Sequence, residues 1–266
     1  MADFLSEIFQ ARQRRLVGEM VKEPLATLRA RAVVISEGRR PLRATLATAQ
    51  PPAVIAEIKR ASPSAGLIAP DFDPAMIGAG YQAAGADAVS VLTEADYFQG
   101  HLSLLPLVRE HTTLPLLRKD FLSTPYEVVQ SAAYGADAIL AIAAGLTNEQ
   151  LSDLLGAARE WSLDVLVEVH TVEELNRALA LEITLLGINN RDLRTLQTDP
   201  EVTERLVEMV PSGVLVVSES GFQNADQVER IYRRGVGAFL VGEALMRSSD
   251  QAGWVAAVKA VGSVEV

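Results

Sequence analysis

The chain contains no cysteine. That excludes disulfides, thiolate metal sites and a cysteine nucleophile, and it fits a reducing compartment. Histidine is nearly as scarce, with 3 in 266 residues. They stand far apart, at His101, His111 and His170, with no H-E-x-x-H pattern, so no metal centre is expected. Aromatic residues make up 5%. Basic residues number 24 against 34 acidic ones, a formal net charge of −10. Such a surplus speaks against nucleic acid and anionic membrane surfaces as partners. No apolar run approaches the roughly 20 residues of a membrane-spanning helix. The opening MADFLSEIFQ has an early acid and lacks the basic-then-apolar order of a secretory signal. A cytoplasmic protein is expected. An anionic small molecule remains a possible ligand wherever basic residues cluster.

What is present is an ordinary globular composition, 49% hydrophobic and 22% charged. The length suits one or two domains, and α/β barrels of this size fold as one. A fold this large buries roughly 75% of its unfolded surface and needs no staples. Residues 1–50 read as helical. Phe4-Leu5, Ile8-Phe9, Leu16-Val17 and Met20-Val21 recur about every four residues, predicting one apolar stripe on a charged rod. Pro24 interrupts, Leu25 to Ile35 makes a second helix, and Pro51-Pro52 ends the segment. It is a helical preface, too short to be a domain.

After the proline pair the pattern changes to eight short apolar runs at 53–59, 88–93, 114–120, 138–143, 164–170, 184–190, 214–220 and 238–243. Nearly continuous apolar runs mark strands buried on both faces, hence parallel strands beneath helices. An internal echo supports repetition. Ala84-Gly85-Ala86-Asp87-Ala88, Tyr134-Gly135-Ala136-Asp137-Ala138 and Arg234-Gly235-Val236-Gly237-Ala238 each precede a run, glycine turning a helix end into a strand. Eight strand-helix units predict a (β/α)8 TIM barrel with an N-terminal helical extension, one domain over 1–266 with 1–50 as the extension. A doubly wound open sheet is the alternative, but no G-x-G-x-x-G follows the first strand. Nothing is expected beyond the helix that follows the last strand.

A barrel keeps its active site at the C-terminal ends of its strands. Those ends carry Glu57 and Lys59, Thr93-Glu94, Lys119-Asp120, Glu168 and His170, Asn189 to Arg191, Glu219-Ser220 and Gly242-Glu243. The opposite ends offer Ala53, Ala88, Leu114, Ala138, Val165 and Val214. Glu57 and Lys59 share one face of their strand, and burying them is costly unless they are paired or used. The charged set could be a structural network closing the barrel top. Five titratable groups from four strands in one cleft favour function. Asp120 alternates with Lys119 and is expected to face the helices. His111 is expected at the surface and His170 at the rim, while methionine and tryptophan read as core or filler. Barrels often seat a phosphate on the loops after strands seven and eight, and Ser220-Gly221 and Gly242-Glu243 stand there.

Glu57 to Ser64, Leu117 to Phe121, Val167 to His170, Gly187 to Leu193, Ser218 to Gly221 and Leu240 to Glu243 resemble the indole-3-glycerol phosphate synthases. The likeness spans the whole chain, preface included, with the motifs in the family's order. It implies a carboxy-lyase of tryptophan biosynthesis that uses no cofactor or metal. The substrate, 1-(2-carboxyphenylamino)-1-deoxyribulose 5-phosphate, closes to indole-3-glycerol phosphate with loss of carbon dioxide and water. By the same likeness Lys119 is the general acid for ring closure and Glu168 the base of the dehydration. Lys59 binds the anthranilate carboxylate and is a second proton donor, while Glu57, Asn189 and Glu219 orient lysines and sugar hydroxyls. Arg191 lies near the anionic groups. Ser220, Gly221, Gly242 and the Glu243 N–H hold the phosphate, with Ser62 near it. Pro63, Phe121, Leu140, Leu193 and Leu240 form the slot for the aromatic ring.

That set suits the chemistry. Ring closure delivers a proton to a carbonyl while positive charge grows on nitrogen, so an ammonium acid with nearby carboxylates fits. Decarboxylation is easier in a dry apolar slot. One departure is His101, where the family pattern calls for serine after Tyr97-Phe98-Gln99-Gly100. Two rivals are weighed. A phosphoribosylanthranilate isomerase would share the fold but relies on a cysteine that is absent here. A non-catalytic sugar-phosphate-binding barrel has no need of a base such as Glu168. The expected partner is a phosphorylated small molecule, and the expected state a monomer or weak dimer.

Overall fold

The computed structural model describes residues 3–222 and 224–263, so the expected domain limits at 1 and 266 lie outside the described residues. Eight strands run Ala53–Ile58 (β1), Ala88–Leu92 (β2), Leu116–Lys119 (β3), Ala138–Ile142 (β4), Asp164–Val169 (β5), Leu185–Asn189 (β6), Leu215–Glu219 (β7) and Ala238–Val241 (β8). Each pairs in parallel with its chain neighbours, and β1 pairs with both β2 and β8, which closes the barrel. The closing register sets Ile55 against Ala88 and Ala53 against Ala238. The strands are one or two residues shorter at some ends than the apolar runs.

The glycine echo has a double purpose. Gly85 (φ +88°) and Gly135 (φ +85°) take the left-handed conformation that ends a helix. The aspartate two residues later then reaches back to the neighbouring strand: Asp87 accepts the Val54 N–H at 2.7 Å and Asp137 the Leu116 N–H at 2.9 Å. The bottom of the barrel is therefore not the apolar end that the strand starts suggest. Arg40 adds hydrogen bonds to the Thr112 and Leu114 carbonyls at 2.7 and 2.9 Å. These groups satisfy backbone polar atoms where strands begin, so the charge there is structural.

The preface forms three helices, Phe4–Lys22 (α1), Leu25–Ser36 (α2) and Leu42–Thr48 (α3). The expected stripe on α1 holds only in part. Leu5, Ile8, Phe9 and Leu16 are buried, but Val17 and Val21 are 67% and 78% exposed. At 100° per residue those two positions rotate off the buried face, whose middle carries Arg12. Buried Arg12 meets Glu19 at 2.6 Å, Glu127 at 3.0 Å and Asp120 at 3.9 Å. The preface thus docks beside the end of β3 through a charged contact that the apolar periodicity does not report. Methionine is also less internal than expected, since Met20, Met76 and Met209 are exposed. The outer helices following β1 to β8 include Pro74–Ala83 (α4), Leu104–Arg109 (α5), Pro125–Ala133 (α6), Asn148–Glu160 (α7), Val172–Leu179 (α8), Glu201–Val207 (α9), Ala225–Tyr232 (α10), Glu243–Arg247 (α11) and Gln251–Ala260 (α12).

Candidate active site

Side chains alternate along a strand, so each strand end sends one set inward. Glu57, Leu92, Lys119, Leu140, Glu168, Asn189, Glu219 and Leu240, one from each strand in turn, line a single cavity of about 560 Å³ at the C-terminal mouth. That volume suits a ligand of small-metabolite size. Every residue expected at the site lines this cavity, including Lys59, Ser62, Pro63, Phe121, Arg191, Leu193, Ser220, Gly221, Gly242 and Glu243.

The floor is charged. Lys119 Nζ stands 2.8 Å from Glu219 Oε2 and 3.3 Å from Glu168 Oε2, while Lys59 Nζ stands 2.6 Å from Glu57 Oε1. All three carboxylates are buried. Burial disfavours the Lys119 ammonium, but Glu219, Glu168 and Glu57 outweigh it and raise the proton affinity of the amine above its ordinary value. Burial pushes Glu219 up to about 7, with Glu168 adding to the rise and Lys119 opposing it. Burial would raise Glu57 too, yet the Lys59 and Lys119 ammoniums hold it below the usual carboxylate value. Two glycines make room for these acids. A Cβ on Gly187 would lie 2.3 Å from Glu219 Oε1, and one on Gly242 would lie 2.3 Å from Glu57 Oε1.

Asp120 turns away from this floor, as its alternation with Lys119 predicts. It meets Arg118 at 3.0 Å and accepts from Thr93 Oγ1 at 2.6 Å. Above the floor is an apolar wall. Phe121 packs edge-on against Phe9 at 5.7 Å between centroids and lies 6.2 Å from Phe98. Phe98 and Phe4, which no strand-end pattern marks, also line the cavity. Phe98 belongs to the loop after β2, which folds around buried Glu94. That carboxylate accepts the Asp96, Tyr97 and Phe98 N–H groups at 2.8, 2.7 and 3.0 Å and the Arg15 guanidinium at 3.0 Å. An acid at a strand end is thereby a loop organiser, and only its spacing before the aromatics could have hinted at it.

Opposite lies a seat of backbone donors. Ser220 (φ +67°) and Gly221 (φ +88°) both turn left-handed, and Gly242 precedes the first turn of α11. Successive N–H groups in such turns favour anions. Arg191 Nη1 donates to the Leu196 carbonyl at 3.1 Å, and its own N–H donates to Asn189 Oδ1 at 2.9 Å. Ser62 Oγ accepts the Ala65 N–H at 3.2 Å within a small hairpin, Ala61–Ser62 with Gly66–Leu67. Arg247 and Trp254 line the mouth as well, Trp254 being half-buried and packed against the core at the same time. They come from the last two helices, beyond the motif that ends at Glu243. His170 stands at the rim, its Nδ1 donating to the Asn189 carbonyl at 2.7 Å. His101 bonds Ser103 and His111 is exposed, and neither lines the cavity.

Among known proteins, the family model of indole-3-glycerol phosphate synthase matches residues 5–258. An indole-3-glycerol phosphate synthase of Rhodospirillum rubrum is 46% identical over 253 residues, covering 94% of this chain and 96% of that protein. One of Acidithiobacillus ferrooxidans is 47% identical with the same coverage. Among solved structures, 3-hexulose-6-phosphate synthase of Salmonella typhimurium superposes with a TM-score of 0.64 at 14% identity, over 79% of this chain and 98% of that one. That likeness is one of fold.

Proposed function

The chain belongs to the indole-3-glycerol phosphate synthase family, and from that premise we propose how its cavity carries out the family's reaction. The enzyme is a carboxy-lyase. Its small phosphorylated substrate, 1-(2-carboxyphenylamino)-1-deoxyribulose 5-phosphate, lies across the mouth. The phosphate sits on the backbone of Ser220, Gly221, Gly242 and Glu243, near Ser62. The anthranilate ring enters the slot of Pro63, Phe121, Leu140, Leu193 and Leu240, and its carboxylate meets Lys59. One observation carries the reading: a single ammonium, Lys119, held between two buried carboxylates from different strands beside an apolar wall.

The ring carbon that bears the carboxylate attacks the ribulose carbonyl carbon, and the carbonyl oxygen takes a proton from Lys119. A carboxylate-flanked ammonium is a weak acid, but the developing alkoxide is a far stronger base than an amine, so transfer at that stage is downhill. Glu219 and Glu168 keep the amine charged until then. Breaking the ring–carboxylate bond releases carbon dioxide and returns its electron pair to restore the aromatic ring. Dehydration follows. Glu168 removes a proton from the carbon beside nitrogen, and the hydroxyl leaves as water with a proton from Lys59. Glu57 and Asn189 orient Lys59 and the sugar hydroxyls, and Arg191 offsets the anionic charge.

We read residues 1–266 as one catalytic unit with 1–50 as its helical extension, working as a monomer in the cytoplasm with no nucleic-acid partner. Turnover of the carboxyphenylamino-deoxyribulose phosphate, followed by indole fluorescence, tests the assignment. The separate roles are tested in Glu168→Gln. That variant releases carbon dioxide faster than indole appears, whereas strictly matched rates would remove Glu168 from the dehydration.

A further inference from the structure

We propose that Asn190, which the substrate does not touch, is a positioning residue for the phosphate end: its side-chain amide turns the Ser220–Gly221 peptide so that the Gly221 N–H faces the cavity, a role that rests on the phosphate seat assigned above. Asn190 directly follows β6 and is wholly buried. Alternation sends its side chain opposite to that of Asn189, out of the barrel and towards α9. Its Nδ2 donates to the Ser220 carbonyl at 3.0 Å. Its Oδ1 accepts the Thr203 N–H at 3.1 Å and the Thr203 hydroxyl at 2.8 Å, and Thr203 Oγ1 stands 2.6 Å from Ser218 Oγ. The backbone N–H of Thr203 can only donate and the Ser220 carbonyl can only accept, so the amide has one satisfied orientation.

That orientation decides the geometry of the seat. A planar trans peptide points its N–H opposite to its C=O. With the Ser220 carbonyl drawn outward onto Asn190, the Gly221 N–H is aimed the other way, into the cavity that Ser220 and Gly221 line. Ser220 takes φ +67°, a conformation that serine seldom adopts without a tether. Gly221 is confined as well, since a Cβ there would lie 2.9 Å from Thr198 Cγ2. The consecutive asparagines after the strand thus divide the work. Asn189 faces the substrate, and Asn190 fixes the backbone that receives the phosphate.

Three variants separate this role from plain stability. Asn190→Asp keeps the shape and the acceptor for Thr203 but places a carboxylate oxygen against the Ser220 carbonyl. Asn190→Leu removes the bond to Ser220 and both bonds from Thr203. Thr203→Val loosens the same buried cluster while leaving the Asn190–Ser220 bond in place. The readouts are KM, kcat and the competitive inhibition constant of inorganic phosphate, alongside Tm. Both Asn190 variants are expected to raise KM and the phosphate constant by about tenfold, the equivalent of one charge-assisted hydrogen bond, with kcat nearly unchanged. Thr203→Val lowers Tm and leaves the phosphate constant alone. Should Asn190→Leu fail to fold, Asn190→Asp carries the test. An unchanged phosphate constant in Asn190→Asp, or an equal rise in Thr203→Val, overturns the role of Asn190 while the seat stands. If the parent enzyme is itself not inhibited by phosphate, the seat is wrong and the proposal falls with it.

Discussion

A single methyl group in β6 should disable the enzyme without unfolding it. Gly187 occupies the middle of that strand on the inward face, two residues before Asn189. In Gly187→Ala the new Cβ would sit 2.3 Å from Glu219 Oε1 and 3.4 Å from the Leu166 side chain. Leu166 is already at ordinary contact, so the carboxylate is what must retreat, by about 1 Å to regain van der Waals distance. Its bond to Lys119, 2.8 Å in the parent, is then lost or misdirected. A misplacement of that size costs about 100-fold in rate, or about 2.7 kcal/mol of transition-state stabilisation. The folded state suffers less. Overpacking costs roughly 1–3 kcal/mol, offset by about 0.5–1 kcal/mol gained when alanine replaces glycine in a strand. The assay is kcat/KM from indole fluorescence, with Tm measured on the same samples. Gly156→Ala in α7, where a Cβ meets nothing within 4 Å, is the control and should gain stability with unchanged turnover. Parent-like kcat/KM in Gly187→Ala would refute the claim that the Glu219–Lys119 contact governs the rate.

Two further outcomes follow from buried charge. Glu219 is pushed up to about 7 from an ordinary carboxylate value, so its protonated form is favoured by folding. Its contribution to stability is complete below about pH 4.5 and is lost as pH rises through about 7. The Tm of the parent should therefore decline relative to that of Glu219→Gln between about pH 5 and 8. A difference that stays constant over that range contradicts the assignment. Arg12→Ala leaves buried Glu127 without its ion pair, while Asp120 keeps Arg118, so denaturant unfolding should report a loss of about 3 kcal/mol or more. A loss below about 1 kcal/mol would mean that water or a rearranged side chain takes its place.

The barrel was legible because strands buried on both faces need apolar residues at nearly every position, and eight such runs stand in the sequence. The charged mouth was legible for the complementary reason. Glu57, Lys119, Glu168 and Glu219 interrupt apolar runs at the end where a parallel barrel is open, which a core would not tolerate by chance. Contacts made across long sequence separations were not legible. Arg12 reads as an ordinary charge on a helix, yet it is buried against residues more than a hundred positions away. Phe4 and Phe98 reach the cavity from the preface and from a loop, where no periodicity signals direction. Val17 and Val21 looked like part of a stripe because pairs spaced by four are compatible with more than one helix face. Asn190 was visible at the strand end, but its bonds to Ser220 and Thr203, 30 and 13 positions away, leave no local pattern.

The most direct test lies at Lys119. A positioned general acid contributes about 10²–10⁴ to the rate, and Lys119 is the only ammonium within reach of both Glu168 and Glu219 among the described ion pairs. In Lys119→Ala, kcat for indole-3-glycerol phosphate formation should fall by at least about 100-fold, with the fold intact by circular dichroism. Turnover like that of the parent would show that the proton for ring closure comes from another group.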